Sequence, residues 1–235
     1  DKMIRGIHEE HKWFPFVTQE EVAATEKEDR IFQSEILFGL YNLKRKENVY
    51  SVGFGPNLKQ GSVLRIDKDI MNEMYEGDEN DFRLAYWFSD MVDPDNNSYT
   101  HMIKYMDVDD LDTKTEISKG YTYIMPVLRV SEVYLIAAEC CPDPKVGRDY
   151  LNAVRSVRNV KNVADEVDLT TVIEQEFRRE FLGEGQLFWL YKRKGKAEII
   201  SGETQGKVVS MEERFYLFDL PQSERDYREE NGIGN

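Results

Sequence analysis

His8 and His11, separated by Glu9 and Glu10, are the first side chains able to hold a metal ion. A zinc-binding pair on a helix needs i,i+4 spacing so that both imidazoles face one ion, with a third ligand beyond them. Here the spacing is i,i+3 and His101 is the only other histidine, so an exposed polar segment near the terminus is expected, with no metal. Glu180 and Glu184 stand one helical turn apart, but the carboxylates of a glycosidase flank the sugar from two sides, about 5 to 9 Å apart. Two neighbours on one helix seldom do so, and a solvated or arginine-paired role is expected. The stretch GETQGK (202–207) falls one residue short of a phosphate loop and lacks the Ser or Thr after Lys, which leaves a turn. Cys140 and Cys141 are adjacent, where a bridge would strain peptide and disulfide alike. Two small buried thiols on a helix are expected instead. No Gly-x-Ser-x-Gly element occurs. Binding or scaffolding therefore outranks catalysis, and no catalytic residue, cofactor or metal is expected.

The elements that carry these residues are clearest in the second half. Leu128 to Cys141 places Val130, Val133, Tyr134, Ala137 and Cys141 on one helical face, with Leu135, Ile136 and Ala138 on a second. A helix apolar on most sides belongs between others. Pro142 and Pro144 end it. A partner over 145–160 shows Val146, Tyr150, Val154 and Val157 on one face, with Arg148, Arg155 and Arg158 directed away, and the short turn predicts an antiparallel αα-hairpin. A third helix is predicted from Val172 to Lys194, opened by the capping pair Thr171 and Glu174 and closed by Gly195, with Phe177, Phe181 and Phe188 on its apolar face. Gly183 and Gly185 conflict with it, and require either close neighbours or a bend. Trp189 and Phe188 are expected in the core.

The first half is less regular. Thr25 to Lys46 stays open between strand and helix. Asp67 to Tyr75 reads as a short helix capped by Asp67 or Asp69, and Ser51 to Gly61 and Asp90 to Tyr99 read as surface loops.

The chain has 235 residues, of which 40% are apolar and 12% aromatic, enough for a core in one large or two small domains. Thirty-one Lys and Arg against 45 Asp and Glu give a net charge of −14, a field that repels polyphosphate and anionic lipid. Nucleic acid is excluded as a preferred partner. No run approaches the 18 or so apolar residues of a membrane helix. The start at Asp1 shows no signal-peptide pattern and carries no argument about compartment, since Asp1 is not an initiator Met.

Three blocks, in order, resemble the SusD/RagB family of Bacteroidetes surface lipoproteins. VLRVSEVYLIAAE (127–139) is similar to that family's "iRlaEvYLiyAEA" helix, EQEFRREFLGEGQLFWLYKR (174–193) to "ERrrEf..EGqrwfDLkR", and FYLFDLPQSE (215–224) to "yylPIPqsEi". EILFGLYN (35–42), with Lys104 and Tyr105, fits the middle of such proteins. One departure stands out: the family's Arg-Trp-Phe-Asp is here Leu187, Phe188, Trp189, Leu190. The resemblance implies an all-α, TPR-type fold of helical hairpins with long irregular loops and little β. It implies one SusD-like C-terminal region over 1–235, loop-rich and ligand-facing at 1–125, with TPR-like helices and a closing segment at 126–235. It further implies a non-enzymatic, cofactor-free protein at the outer-membrane surface. Such a protein captures oligosaccharides or other nutrients for a SusC-like TonB-dependent transporter, anchored by an N-terminal lipid absent from this chain.

A sugar presents flat C–H faces to aromatic rings and hydroxyls to fixed polar groups. That mixture occurs at YSVGFGPN (50–57) and DFRLAYWF (81–88). Tyr50 and Phe54 are the expected stacking platforms, Asn57 the hydroxyl partner, and Trp87 with Arg83 a second patch, although a core place suits Trp87 and Tyr86 better and Tyr50 and Phe54 equally well. The alternative function is a TPR-like adaptor for a peptide or protein. A glycan hydrolase using Glu180 and Glu184 comes a distant third.

Overall fold

Side-chain caps mark where the helices begin. Asp67 accepts from the amides of Asp69 and Ile70 and opens a helix at Lys68–Met74, whose Ile70, Met71 and Met74 are buried. Asp81 opens Phe82–Trp87, Asp143 opens Pro144–Val157 with Pro at its first position, and Asp168 opens Leu169–Glu180. Each such cap satisfies an amide that the helix itself cannot pair, worth about 1 kcal/mol. In a computed structural model these are α2, α3, α5 and α6, beside α1 (Gln19–Ala23), α4 (Val130–Cys140), α7 (Gln186–Lys194) and α8 (Gln222–Glu230). The structure describes residues 1–23, 29–54, 58, 66–92, 96, 98–105, 123–202, 204 and 206–232, the side chains of Lys46 and Tyr50 excepted. The fold is mainly α, and the described strands form only two-stranded antiparallel pairs.

Two compact units divide the chain: 1–187 with 202–205, and 188–201 with 206–235. In the first, strand β1 (Ile36–Tyr41) pairs with β4 (Ile124–Arg129) through an irregular register near Phe38, and β2 (Phe88–Val92) pairs with β3 (Ser98–Met102), Asp90 opposite Thr100. Helices α4, α5 and α6 pack on one another. The predicted hairpin of α4 and α5 is present and closely approached, since a Cβ on Gly147 would sit 2.8 Å from the carbonyl oxygen of Ala138. Its core joins Phe32, Phe54, Met74, Tyr75, Phe82, Trp87, Phe88, Met102 and Tyr105. The second unit holds the hairpin β5 (Glu198–Ile200) and β6 (Val208–Ser210), a 3₁₀ turn at Glu213–Tyr216 and the exposed α8. Tyr216 is buried there, its hydroxyl donating to the carbonyl of Lys196 at 2.9 Å.

Several expectations need correction. The third helix is two: α6 stops at Glu180, Gly183 and Gly185 take φ of +75° and +76°, and α7 starts at Gln186. The bend outweighs helix continuity because Gly183 lies so close to Met102 that a Cβ would meet its methyl at 2.8 Å. The cap is Asp168, one turn before Thr171, whose amide it accepts. Asp90 to Tyr99 is not a plain loop, because both its ends belong to the β2–β3 hairpin. Within 51–61, Gly53 and Phe54 are buried in a wide helical turn, and 55–57 and 59–61 lie outside the described residues. Cys140 is exposed and Cys141 half-buried; both are free thiols. On α5 the buried face carries the arginines: Arg148, Arg155 and Arg158 are inside while Val146 is exposed. Trp189 is 53% exposed instead of core.

Candidate ligand-binding site

The residues expected to meet a ligand are, where described, inside. Phe54 is buried 5.5 Å from the ring of Tyr105, and its carbonyl accepts from His101 Nε2 at 3.0 Å, which fixes that imidazole's tautomer. Burial lowers the His101 pKa, so the ring is neutral. Trp87 is 0% exposed: Nε1 donates to the carbonyl of Arg30 at 2.8 Å, the indole stacks on Phe32 at 5.0 Å, and Lys104 Nζ lies 3.8 Å from its centroid. Neither ring has a face left for a sugar. Tyr50's side chain and all of Asn57 lie outside the described residues.

Arg83, also 0% exposed, is held by Asp81 through Nε at 2.9 Å, by Glu176 at 2.8 Å and by Glu180 at 2.8 Å. It is one member of a buried ion network. Glu180 also accepts from Arg129 at 2.6 Å and Arg158 at 2.7 Å. Glu35, from the turn before β1, takes Arg158 at 2.7 Å and Arg129 at 3.3 Å. Glu184, between the two glycines of the bend, takes Arg129 at 2.7 Å and Lys104 at 2.5 Å. Glu176 takes Arg155 at 2.8 Å and Arg179 at 3.3 Å.

Burial alone would raise the carboxyl pKa of Glu176 and Glu180. Arg83, Arg179 and Arg155 hold Glu176 below the ordinary range, and Arg158, Arg129 and Arg83 hold Glu180 well below it. Burial pulls Lys104 down to about 8 against the opposing field of Glu184. Buried charges cost several kcal/mol each unless paired and hydrogen-bonded, and here each of the four glutamates serves at least two cations. Glu180 and Glu184 are thus arginine-paired, with no oxygen directed at a substrate. The network ties β1, β4, α3, α5 and α6 together; it is a structural device.

A polar cavity of about 210 Å³ opens beside it in sequence, lined by Ile66, Asp67, Lys68, Asp90, Ser98, Tyr99 and Thr100. The β2–β3 register sets Asp90 opposite Thr100, whose hydroxyl donates to Asp90 Oδ1 at 3.0 Å. Tyr99 is 5% exposed and its phenol has no hydrogen-bond partner among the described residues, a state that costs about 1 to 3 kcal/mol until a partner arrives. Carboxylates, hydroxyls and one ammonium at a cavity mouth are the groups that fix a polyhydroxylated molecule. Asp67 reads in sequence only as a cap, Asp90 and Ser98 fall in a stretch read as a surface loop, and Thr100 lies just past it; the strand alternation in SYTHM is the signal that could have found the hairpin residues. At the amino end, His8 Nδ1 sits 2.7 Å from the Tyr134 hydroxyl, and among the described residues no group of three His, Cys, Asp or Glu side chains is placed to hold a metal ion.

The sequence fits a known family. The SusD family model matches residues 8–228, so the chain belongs to that family. Its fold is similar to the crystal structure of a SusD-like carbohydrate binding protein from Bacteroides vulgatus (TM-score 0.62, 15% identity, 92% of this chain and 52% of that one). It is also similar to a SusD superfamily protein from Bacteroides thetaiotaomicron (TM-score 0.51, 18% identity, 78% and 42%). The chain therefore spans about half the length of the first of these structures and less of the second. No match occurs among curated proteins.

Proposed function

We propose that this chain is the ligand-capturing part of a cell-surface nutrient-binding protein: it holds an oligosaccharide or related nutrient without chemical turnover. It hands that ligand to a SusC-like TonB-dependent transporter in the outer membrane, to which the longer protein is held by an N-terminal lipid. Family membership over nearly the whole chain carries this reading. The SusD-like carbohydrate binding protein of similar fold supports it, as does the hydroxyl-rich pocket at Asp67, Asp90 and Thr100. Among the described residues no helix is long and apolar enough to cross a membrane. Tyr50 and Asn57 remain the proposed ring and hydroxyl contacts beside this pocket's own groups.

Titration calorimetry of the chain against a panel of neutral oligosaccharides tests the reading. At least one should bind, and Asp90→Ala or Tyr50→Ala should weaken it about tenfold, the loss of one charged hydrogen bond or one stacked ring. No heat with any member of the panel would discard carbohydrate as the ligand. Co-purification of the longer protein should bring down a β-barrel transporter; a soluble protein partner in its place would favour the adaptor alternative.

A further inference from the structure

The second unit carries an aromatic surface that the pocket above does not use. Phe188 meets Trp189 at 5.3 Å, Tyr216 at 5.8 Å and Phe218 at 5.4 Å, and Trp189 meets Phe218 at 5.8 Å. Tyr216 is inside, whereas Trp189 and Phe218 are 53% and 69% exposed, two touching rings left in water. Next to them a cavity of about 470 Å³ is lined by Lys192, Gly195, Lys196, Ala197, Met211, Glu213, Tyr216 and Leu217. That volume lies within the range of about 300 to 1,000 Å³ for small-ligand sites. Lys192 belongs to both features, its Nζ 5.6 Å from the Trp189 centroid and 5.5 Å from that of Phe218.

We propose that this cleft and the adjoining rings form a second sugar subsite, selective for an acidic unit, a uronate, whose C–H face lies on Trp189 and Phe218 while its carboxylate meets Lys192, the residue common to rings and cleft. The proposal rests on the carbohydrate reading above. Charge selects the acid. In a chain of net charge −14, the stretch 188–201 carries Lys192, Arg193, Lys194 and Lys196 and one acidic residue, Glu198. Lys192, Lys196 and Glu213 are the charged residues of the cavity wall. The carbonyls at the end of α7, which would repel an anion, are occupied: Lys192 accepts from the Gly195 amide, Tyr191 from the Lys196 amide, and Lys196 from the Tyr216 hydroxyl. Lys192 has a four-carbon stem that lets its ammonium swing from the rings to a bound carboxylate.

The test is calorimetry of the full 1–235 chain with trigalacturonate and with the corresponding neutral galactose trisaccharide, at low and high salt. The uronate should bind about tenfold more tightly than the neutral sugar, with the preference shrinking in salt. Trp189→Ala and Phe218→Ala should each weaken uronate binding about tenfold, and Lys192→Gln should abolish the preference for the acid. All three side chains are on the surface or its edge, and circular dichroism verifies that the variants fold. Equal affinity for acid and neutral sugars, or uronate binding that ignores all three substitutions, overturns the subsite. Neutral binding that depends on Asp90 with no uronate binding removes this subsite and keeps the carbohydrate reading; absence of any sugar binding removes both.

Discussion

Trp87 and Trp189 are the same side chain in opposite circumstances. Trp87 is 0% exposed, its N–H bonded to a carbonyl and its face covered by Phe32 and Lys104, while Trp189 is 53% exposed against Phe218. Around Trp87 charged groups are drawn inside, and the aromatic rings of Phe32, Phe82 and Phe181 lie against the guanidinium groups of Arg129 and Arg158. Around Trp189 two rings, its own and that of Phe218, stay in water with the Lys192 ammonium beside them. Residues with the look of a binding site, Arg83 and Trp87, hold the first unit together. Trp189, with the look of a core residue, is one that a ligand can reach. Residue type alone does not separate the two; partners do.

The contrast can be broken most forcefully at Glu180. Glu180→Ala leaves Arg83, Arg129 and Arg158 buried without a shared counter-charge, and stability measured by urea unfolding should fall by about 3 to 5 kcal/mol. Trp87→Ala should cost a similar amount, about 3 to 5 kcal/mol, whereas Trp189→Ala should cost about 1 kcal/mol or less because half of its surface is already in water. Gly183→Ala forces a side chain into φ of +75° and against Met102, and about 1 to 3 kcal/mol of destabilisation is expected in the same assay.

Acid titration sharpens the comparison further. Glu176 and Glu180 have depressed folded pKa values, so the unfolded chain takes up protons first. Their stabilisation is complete above the unfolded carboxylate value of about 4.3 and is lost as pH falls through the lower folded values. Asp29 runs the other way. Burial pushes it up to about 6 from 3.8, so between those values the folded chain holds the extra proton and stability declines as pH rises. Asp29→Asn should remove that decline over pH 4 to 6, the smallest of these effects, and leave the acid limb set by Glu176 and Glu180 in place; unfolding curves at several pH values read both.

How much was legible follows from the range of each interaction. The α4–α5 hairpin, the Asp67 cap with its buried Ile70, Met71 and Met74, and the Gly195 terminus are local patterns, and periodicity or a capping residue reveals them. Arg158 could not be read as buried, because its partner Glu35 is 123 residues away. The bend at Gly183 is announced by two glycines, but its necessity comes from Met102 on a distant strand. The polar pocket was hidden for the same reason: Asp67 is contributed by a helix cap and Asp90 and Thr100 by a hairpin. The family blocks, by contrast, contain the network residues Arg129, Glu176, Arg179, Glu180 and Glu184, so what the resemblance detects most strongly here is the scaffold.

A crystal structure of the chain with a bound oligosaccharide tests the central claim most directly. The account predicts sugar hydroxyls against Asp67, Asp90 or Thr100, or a ring on Trp189 and Phe218, with Arg83 still bound to Glu176 and Glu180 and Trp87 still covered. A sugar in contact with Arg83 or stacked on Trp87 would contradict it.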